Sequence, residues 1–106
     1  MSPATVTLAP QARLDLRHIK RTISLSSGPR TSLKWVQRLR RAADGLAIAP
    51  YKGVLDESLG GRRRWVVAPY VIIYRVIEPD RVVVTRVLDG RRDLPPILTA
   101  EDEQEI

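Results

Sequence analysis

Apolar residues repeat along this chain with two different periods, and the change of period separates a helical part from a β part. Polar and apolar side chains alternate over Thr5–Leu8, which predicts a short, half-buried strand. Pro10 suits the first turn of a helix, where its missing amide hydrogen would have no partner. Two helices are then predicted, separated by the Ser-, Gly- and Pro-rich residues 24–29. Their apolar faces are Ala12, Leu16, Ile19 and Ile23 in the first, and Val36, Leu39, Ala43 and Leu46 in the second.

The last third of the chain is rich in β-branched residues. Three strands are predicted, at Arg62–Val67, Tyr70–Ile77 and residues 81–88, with hairpin-length connections between them. The second and third are apolar on both pleat faces, so we expect them at the centre of the sheet. Residues 48–61 lack periodicity and predict a loop. The element order β-α-α-β-β-β therefore predicts an α+β fold of two layers, with an N-terminal helical hairpin packed on a mostly antiparallel sheet.

Composition narrows the class of protein. A chain of 106 residues without cysteine fits one domain, has no disulfide or sulfur-based zinc site, and is expected in the cytoplasm. No apolar run approaches the roughly 18 residues of a membrane span. The net charge of +6 divides into +10 over residues 1–100 and −4 from the last four acidic residues. An excess of basic residues indicates an anionic partner: nucleic acid, an acidic protein or an anionic membrane surface.

The residues give little sign of catalysis. His18 is the single histidine and has no serine or carboxylate close to it in a catalytic spacing. The chain contains no HExxH motif, phosphate-binding loop or nucleophile elbow. We therefore predict no metal and no cofactor, and the residues identify no catalytic group.

A cluster of arginines is the more informative feature. Arg62 and Arg64 share one face of their predicted strand, and Arg63 shares the other with Trp65. Arg86 interrupts an apolar strand, and Arg91 and Arg92 follow Gly90 just beyond its end. One interpretation is that these groups converge at one rim of the sheet and bind phosphate or carboxylate groups. The other is that Arg86 forms an internal ion pair with Asp89 or Asp93 and that the remaining arginines are solvated.

Four segments in this order resemble the ParE branch of the RelE/ParE toxin superfamily. They are residues 12–19 (AxxDLxxI), 46–53 (LxxxPxxG), 61–76 (GRRRWVVAPYVIIYRV) and 86–94 (RVLDGRRDL). Asp89 departs from the family pattern, in which a histidine is frequent at that position. The resemblance extends to about Leu94, so we expect one toxin domain at residues 1–94 and an acidic tail at 95–106.

The resemblance implies a toxin of a type II toxin-antitoxin system that stabilises plasmids or arrests growth. It also implies a cognate antitoxin of the ParD or RelB kind, with operator DNA bound only through that antitoxin. ParE-like members inhibit DNA gyrase by binding, whereas RelE-like members cut mRNA on the ribosome. Arg62, Arg64 and Arg92 match basic positions of the RelE-like pattern, but Val71 follows Tyr70 and no Tyr or His follows Asp93.

Because arginine cannot give up a proton at neutral pH, gyrase inhibition is the favoured function and ribosome-dependent mRNA cleavage the alternative. A third possibility is a toxin that has lost its toxicity and acts only as the antitoxin's partner. The candidate target-binding residues are Arg62, Arg64, Arg86, Arg91 and Arg92.

Overall fold

The computed structural model describes residues 3–91, and their elements follow the predicted order with one addition. The elements are β1 (Thr5–Leu8), α1 (Pro10–Ser27), α2 (Pro29–Asp44), β2 (Val54–Asp56), β3 (Arg62–Val67), β4 (Tyr70–Ile77) and β5 (Arg81–Asp89), with short 3-10 helices at Gly45–Ala47 and Glu57–Leu59. The α+β class and the position of the helices are thus confirmed. The prediction that residues 48–61 are all loop is wrong, because they contain β2. Three residues are too few for an alternating pattern to show in the sequence.

The two helices form a tight hairpin around Gly28. This glycine has a φ of 92°, which ends α1, and Pro29 begins α2 directly after it. The hydroxyl of Ser32 is buried and donates to the carbonyl of Lys20 at 2.6 Å. That bond fixes the first turn of α2 against the middle of α1. Neither helix in residues 3–91 is long and apolar enough to cross a bilayer.

The five strands form one sheet in the order β1-β5-β4-β3-β2. β1 pairs with β5 in parallel, and the other neighbours are antiparallel. The predicted central strands, β4 and β5, each have a strand on both sides. β1 pairs with β5 only from Arg81 to Val84, after which Ala9 donates to the Val84 carbonyl and the chain turns into α1. The second half of β5 therefore meets α1 instead of a strand.

The sheet separates a large core from a small one. The large core packs the apolar faces of both helices against side chains such as Ile72, Tyr74 and Val84. The small core consists of Leu59, Val71, Ile73 and Leu88. The register places Arg64 opposite Ile73 and Arg63 opposite Tyr74, so the predicted division of these arginines between the two sheet faces agrees with the fold.

Candidate functional site

Arg86 forms a two-point ion pair with Asp15, which lies 71 residues earlier in the chain. The Nε atom of Arg86 is 2.8 Å from Oδ2 of Asp15, and Nη2 is 3.1 Å from Oδ1. The same Oδ2 atom accepts the backbone N–H of Val87 at 3.0 Å. Both charged side chains are only 10% exposed, so water screens their attraction weakly. One carboxylate thus joins α1 to the half of β5 that β1 does not cover.

A cleft of about 140 Å³ opens beside this ion pair. The exposed side chain of His18 lines it, together with Asp15, Ile19, Thr22, Tyr70, Arg86, Val87, Leu88 and Asp89. Both carboxylates in the wall accept hydrogen bonds from arginines. Burial, with a smaller contribution from the charge of Asp89, raises the pKa of Tyr70. Within residues 3–91, no group of His, Asp or Glu side chains is arranged to hold a metal ion.

Arg62 and Arg64 lie at the start of β3, beside β2. Arg62 is buried, and its Nη1 atom donates to the carbonyl of Leu59 at 3.0 Å. The Arg64 side chain is 44% exposed, and its Nε atom lies 3.5 Å from Oδ2 of Asp56. Hydrogen bonds from Ser58 and, less strongly, the charge of Arg64 lower the pKa of Asp56. Only Arg64 of the two presents its guanidinium group at the surface.

Arg91 lies just beyond the end of β5, and its side chain is 75% exposed. Its Nε atom donates to Oδ1 of Asp89 at 2.9 Å, and Nη2 donates to Oδ2 of the same residue. These hydrogen bonds and the negative charge of Asp89 raise the pKa of Arg91. The predicted residues Arg92 and Asp93 and the predicted tail at 95–106 lie outside the described residues.

The four described candidate arginines differ in burial. Arg62 and Arg86 are buried, whereas Arg64 and Arg91 are exposed. The register places Arg64 and Arg86 opposite the same residue of β4, Ile73, one on each side of it. Each of the two exposed arginines also forms an ion pair with an aspartate. A single anion site formed by the candidate arginines stays a prediction.

Residues 6–94 match the family model described as the ParE toxin of the type II toxin-antitoxin system, parDE. The chain belongs to the ParE toxin family. Nine chains of solved structures match this ParE-family chain. One belongs to the chromosomal ParDE toxin-antitoxin system of P. aeruginosa, with a TM-score of 0.72 and 21% sequence identity over 81% of this chain and 95% of that one. No curated protein matches significantly in sequence.

In this ParE-family chain, the motif residues of the earlier resemblance form buried contacts. Asp15 belongs to the first motif and Arg86 to the last, and they bond each other. Gly53 ends the second motif, and its N–H donates to the hydroxyl of Tyr74 at 2.9 Å. That hydroxyl in turn donates to the carbonyl of Pro50 at 2.7 Å. A Cβ atom on Gly53 would lie 2.5 Å from the Tyr74 hydroxyl and 2.9 Å from the Arg64 carbonyl, so only glycine fits.

Asp15, the partner of Arg86, was not among the candidates predicted from the sequence. A signal for it was present, because Asp15 follows Ala12 by three positions and precedes Ile19 by four, which places a charge on the apolar face of α1. A carboxylate on a buried face requires a partner. Arg86, the one charged residue between Val82 and Leu88, is the matching anomaly in β5.

Proposed function

We propose that this ParE-family toxin inhibits DNA gyrase by binding it in the cytoplasm, and that a cognate antitoxin of the ParD or RelB kind neutralises it. The observation that carries this proposal is the family match, which spans residues 6–94 and therefore includes both helices, β2 to β5, and all of β1 except Thr5. Gyrase inhibition is typical of the family, and binding alone requires no proton transfer.

The site supports binding by a subset of the candidate arginines. Arg64 and Arg91 are exposed and present guanidinium groups that can bond carboxylates on a protein surface. Arg62 and Arg86 are buried, and we assign them the role of holding the loop before β3 and the α1–β5 junction in place. This revises the prediction that all of them touch the target. Arg92, which lies outside the described residues, stays a candidate contact.

An exposed apolar edge supports the antitoxin as the second partner. β2 is an edge strand, and Val54 and Leu55 on it are 62% and 49% exposed. Val66 on the neighbouring strand is 59% exposed. An edge strand can pair with an added strand, and exposed apolar side chains provide anchors for it. Antitoxins of such systems tend to be acidic in the segment that binds the toxin, so the basic toxin speeds association, and salt slows it.

The experiment is a supercoiling assay with purified gyrase and relaxed plasmid. We expect the toxin to inhibit supercoiling, and the double variant R64A/R91A to require at least about ten times more protein, because about 1.4 kcal/mol of lost contact energy is tenfold in affinity. The control variant is R75A, which removes the same kind of charge from β4. All variants are first compared with the wild type by urea unfolding, to exclude loss of fold.

Supercoiling that is untouched at excess toxin would overturn the proposal. Codon-positioned cleavage of ribosome-bound message in a primer-extension experiment would assign the protein to the mRNA-cleaving alternative. Absence of growth arrest on expression, together with tight binding of the antitoxin, would identify a toxin that retains only its partner-binding role.

A further inference from the structure

The helical hairpin carries most of the positive charge of the described residues. Residues 10–44 contain two acidic side chains, and one of them, Asp15, is buried in the ion pair with Arg86. The other, Asp44, is exposed. Against these stand nine basic residues, all exposed: Arg13, Arg17, Lys20, Arg21, Arg30, Lys34, Arg38, Arg40 and Arg41. The outer surface of the hairpin is therefore basic along both helices.

These nine side chains form no ion pair within the part of the chain that the structure describes. The ion pairs between described residues join Arg64, Arg86 and Arg91 to carboxylates, and all three arginines belong to the sheet layer. In the hairpin, Arg38 lies over the ring of Trp35 at 4.9 Å, which holds its charge at the surface. Arg13 and Arg40 line one cleft with Asp44, so the basic surfaces of α1 and α2 are continuous.

The geometry of α2 aligns part of this charge in a row. Ser32, Leu39 and Ala43 are its buried residues. At about 100° per residue, Arg30, Lys34 and Arg41 point to the opposite side of the helix, directly away from the core. Gln37 lies between them on the same side. The outward row of α2 is thus entirely polar and spans three turns, or about 16 Å.

That row fits duplex DNA better than an acidic protein. A protein interface depends on a few buried apolar or aromatic anchors, and the outward row of α2 has none. Duplex DNA presents about one negative charge per 1.7 Å of helix axis and is bound through its phosphates by Lys and Arg without such anchors. A straight, polar, cationic row on a rigid helix matches a regular array of phosphates.

We propose that the outward row of α2, formed by Arg30, Lys34 and Arg41, binds the phosphate backbone of duplex DNA without sequence preference. This activity belongs to the toxin alone and does not depend on gyrase inhibition or on the antitoxin. It extends the prediction made from the sequence, in which the antitoxin was the only route to DNA.

Binding of a short, labelled duplex to the full chain by fluorescence anisotropy tests this proposal. The test variant is R30Q/K34Q/R41Q. The matched control is K52Q/R75Q/R81Q, which removes the same charge from sites outside the hairpin. We expect the wild type to bind more weakly as salt is raised. The test variant should lower the slope of log affinity against log salt by about 2.7, since each lost phosphate contact contributes about 0.9. The control should lower it by less than about 1.

Three results would overturn the proposal. The first is no binding of DNA by the wild type at low salt. The second is an equal loss of affinity in both variants, which would show that only the overall charge matters. The third is a poly-glutamate peptide that binds the wild type more tightly than DNA and loses affinity in the test variant alone, which would assign the row to an acidic protein. Urea unfolding of both variants establishes that they are folded.

Discussion

Three arginines of the sheet layer and the basic residues of the helical hairpin carry the same charge in different surroundings. In the sheet layer, Arg86 is paired with Asp15, Arg91 with Asp89 and Arg64 with Asp56. In the hairpin, nine exposed basic residues have no ion pair with any residue in the range 3–91. These three arginines thus pair with carboxylates of the same chain, whereas the nine basic residues of the hairpin have no carboxylate partner among the described residues. Net charge alone does not distinguish these two uses.

Within the sheet layer, the burial of an ion pair decides how much unfolding free energy is lost when one partner is removed. The Asp15–Arg86 pair is almost removed from water, and its carboxylate also satisfies the N–H of Val87. Removing one member leaves a buried charge and a backbone donor without that partner. In the Arg91–Asp89 pair the arginine is 75% exposed, and water replaces a lost partner at little cost.

The largest expected effect therefore comes from D15A. We expect this variant to lose about 3–5 kcal/mol of unfolding free energy, because it leaves Arg86 buried without its α1 carboxylate. Urea denaturation followed by circular dichroism measures the loss. The matched control is D89A, which removes the carboxylate of the exposed pair and should cost far less. Equal losses in the two variants would contradict the distinction between buried and exposed pairs.

The hydroxyl of Tyr74 forms two internal hydrogen bonds in the sheet layer. It donates to the carbonyl of Pro50 and accepts the N–H of Gly53, which connects β4 to the segment before β2. We expect Y74F to lose about 1–3 kcal/mol of unfolding free energy at pH 7, since both backbone groups lose a buried partner. The control is Y51F, which removes the hydroxyl of an exposed tyrosine. A loss in Y74F no larger than in Y51F would show that the hydroxyl has no structural role.

Alkaline pH provides a second measurement on the same residue. Burial raises the pKa of Tyr74 above its usual value of 10.0, so the folded state favours the neutral phenol. That contribution to stability is complete below pH 10 and is lost as the pH rises through the higher pKa of the folded state. We expect the difference in unfolding free energy between the wild type and Y74F to be constant from pH 7 to about 10 and to shrink above it. A difference that grows above pH 10 would contradict this sign.

The sequence predicted the elements of this fold well because most of them are long enough to show a period. Both helices and the strands β3, β4 and β5 repeat their apolar residues over at least six positions. β2 was missed because its three residues are defined by pairing with β3 and not by their own pattern. Pro50 and Gly53, which belong to the motif at residues 46–53, lie just before β2, and both form a hydrogen bond with the Tyr74 hydroxyl.

The candidate site was harder to predict, because its contacts join residues that are distant in the chain. The sequence singled out Arg62, Arg64, Arg86 and Arg91 as candidates, but it did not show which of them are buried. One of the two interpretations paired Arg86 with Asp89 or Asp93, whereas the ion pair seen among the described residues joins it to Asp15 of α1. Such a pairing depends on α1 crossing the uncovered half of β5. The available signals were Asp15 on the apolar face of α1 and Arg86 in the apolar strand β5. Either one alone does not indicate a partner, whereas the two together indicate an ion pair.

The smallest expected effect on stability concerns the basic residues of the helical hairpin. If the outward row of α2 is unpaired, the triple variant R30Q/K34Q/R41Q loses no internal contact and relieves some repulsion among basic residues. We expect its unfolding free energy to stay within about 0.5 kcal/mol of the wild type, with any change towards higher stability at low salt. Urea denaturation at two salt concentrations measures this. A substantial loss of stability would show that these residues support the fold, and that the hairpin, like the sheet layer, uses its basic side chains internally.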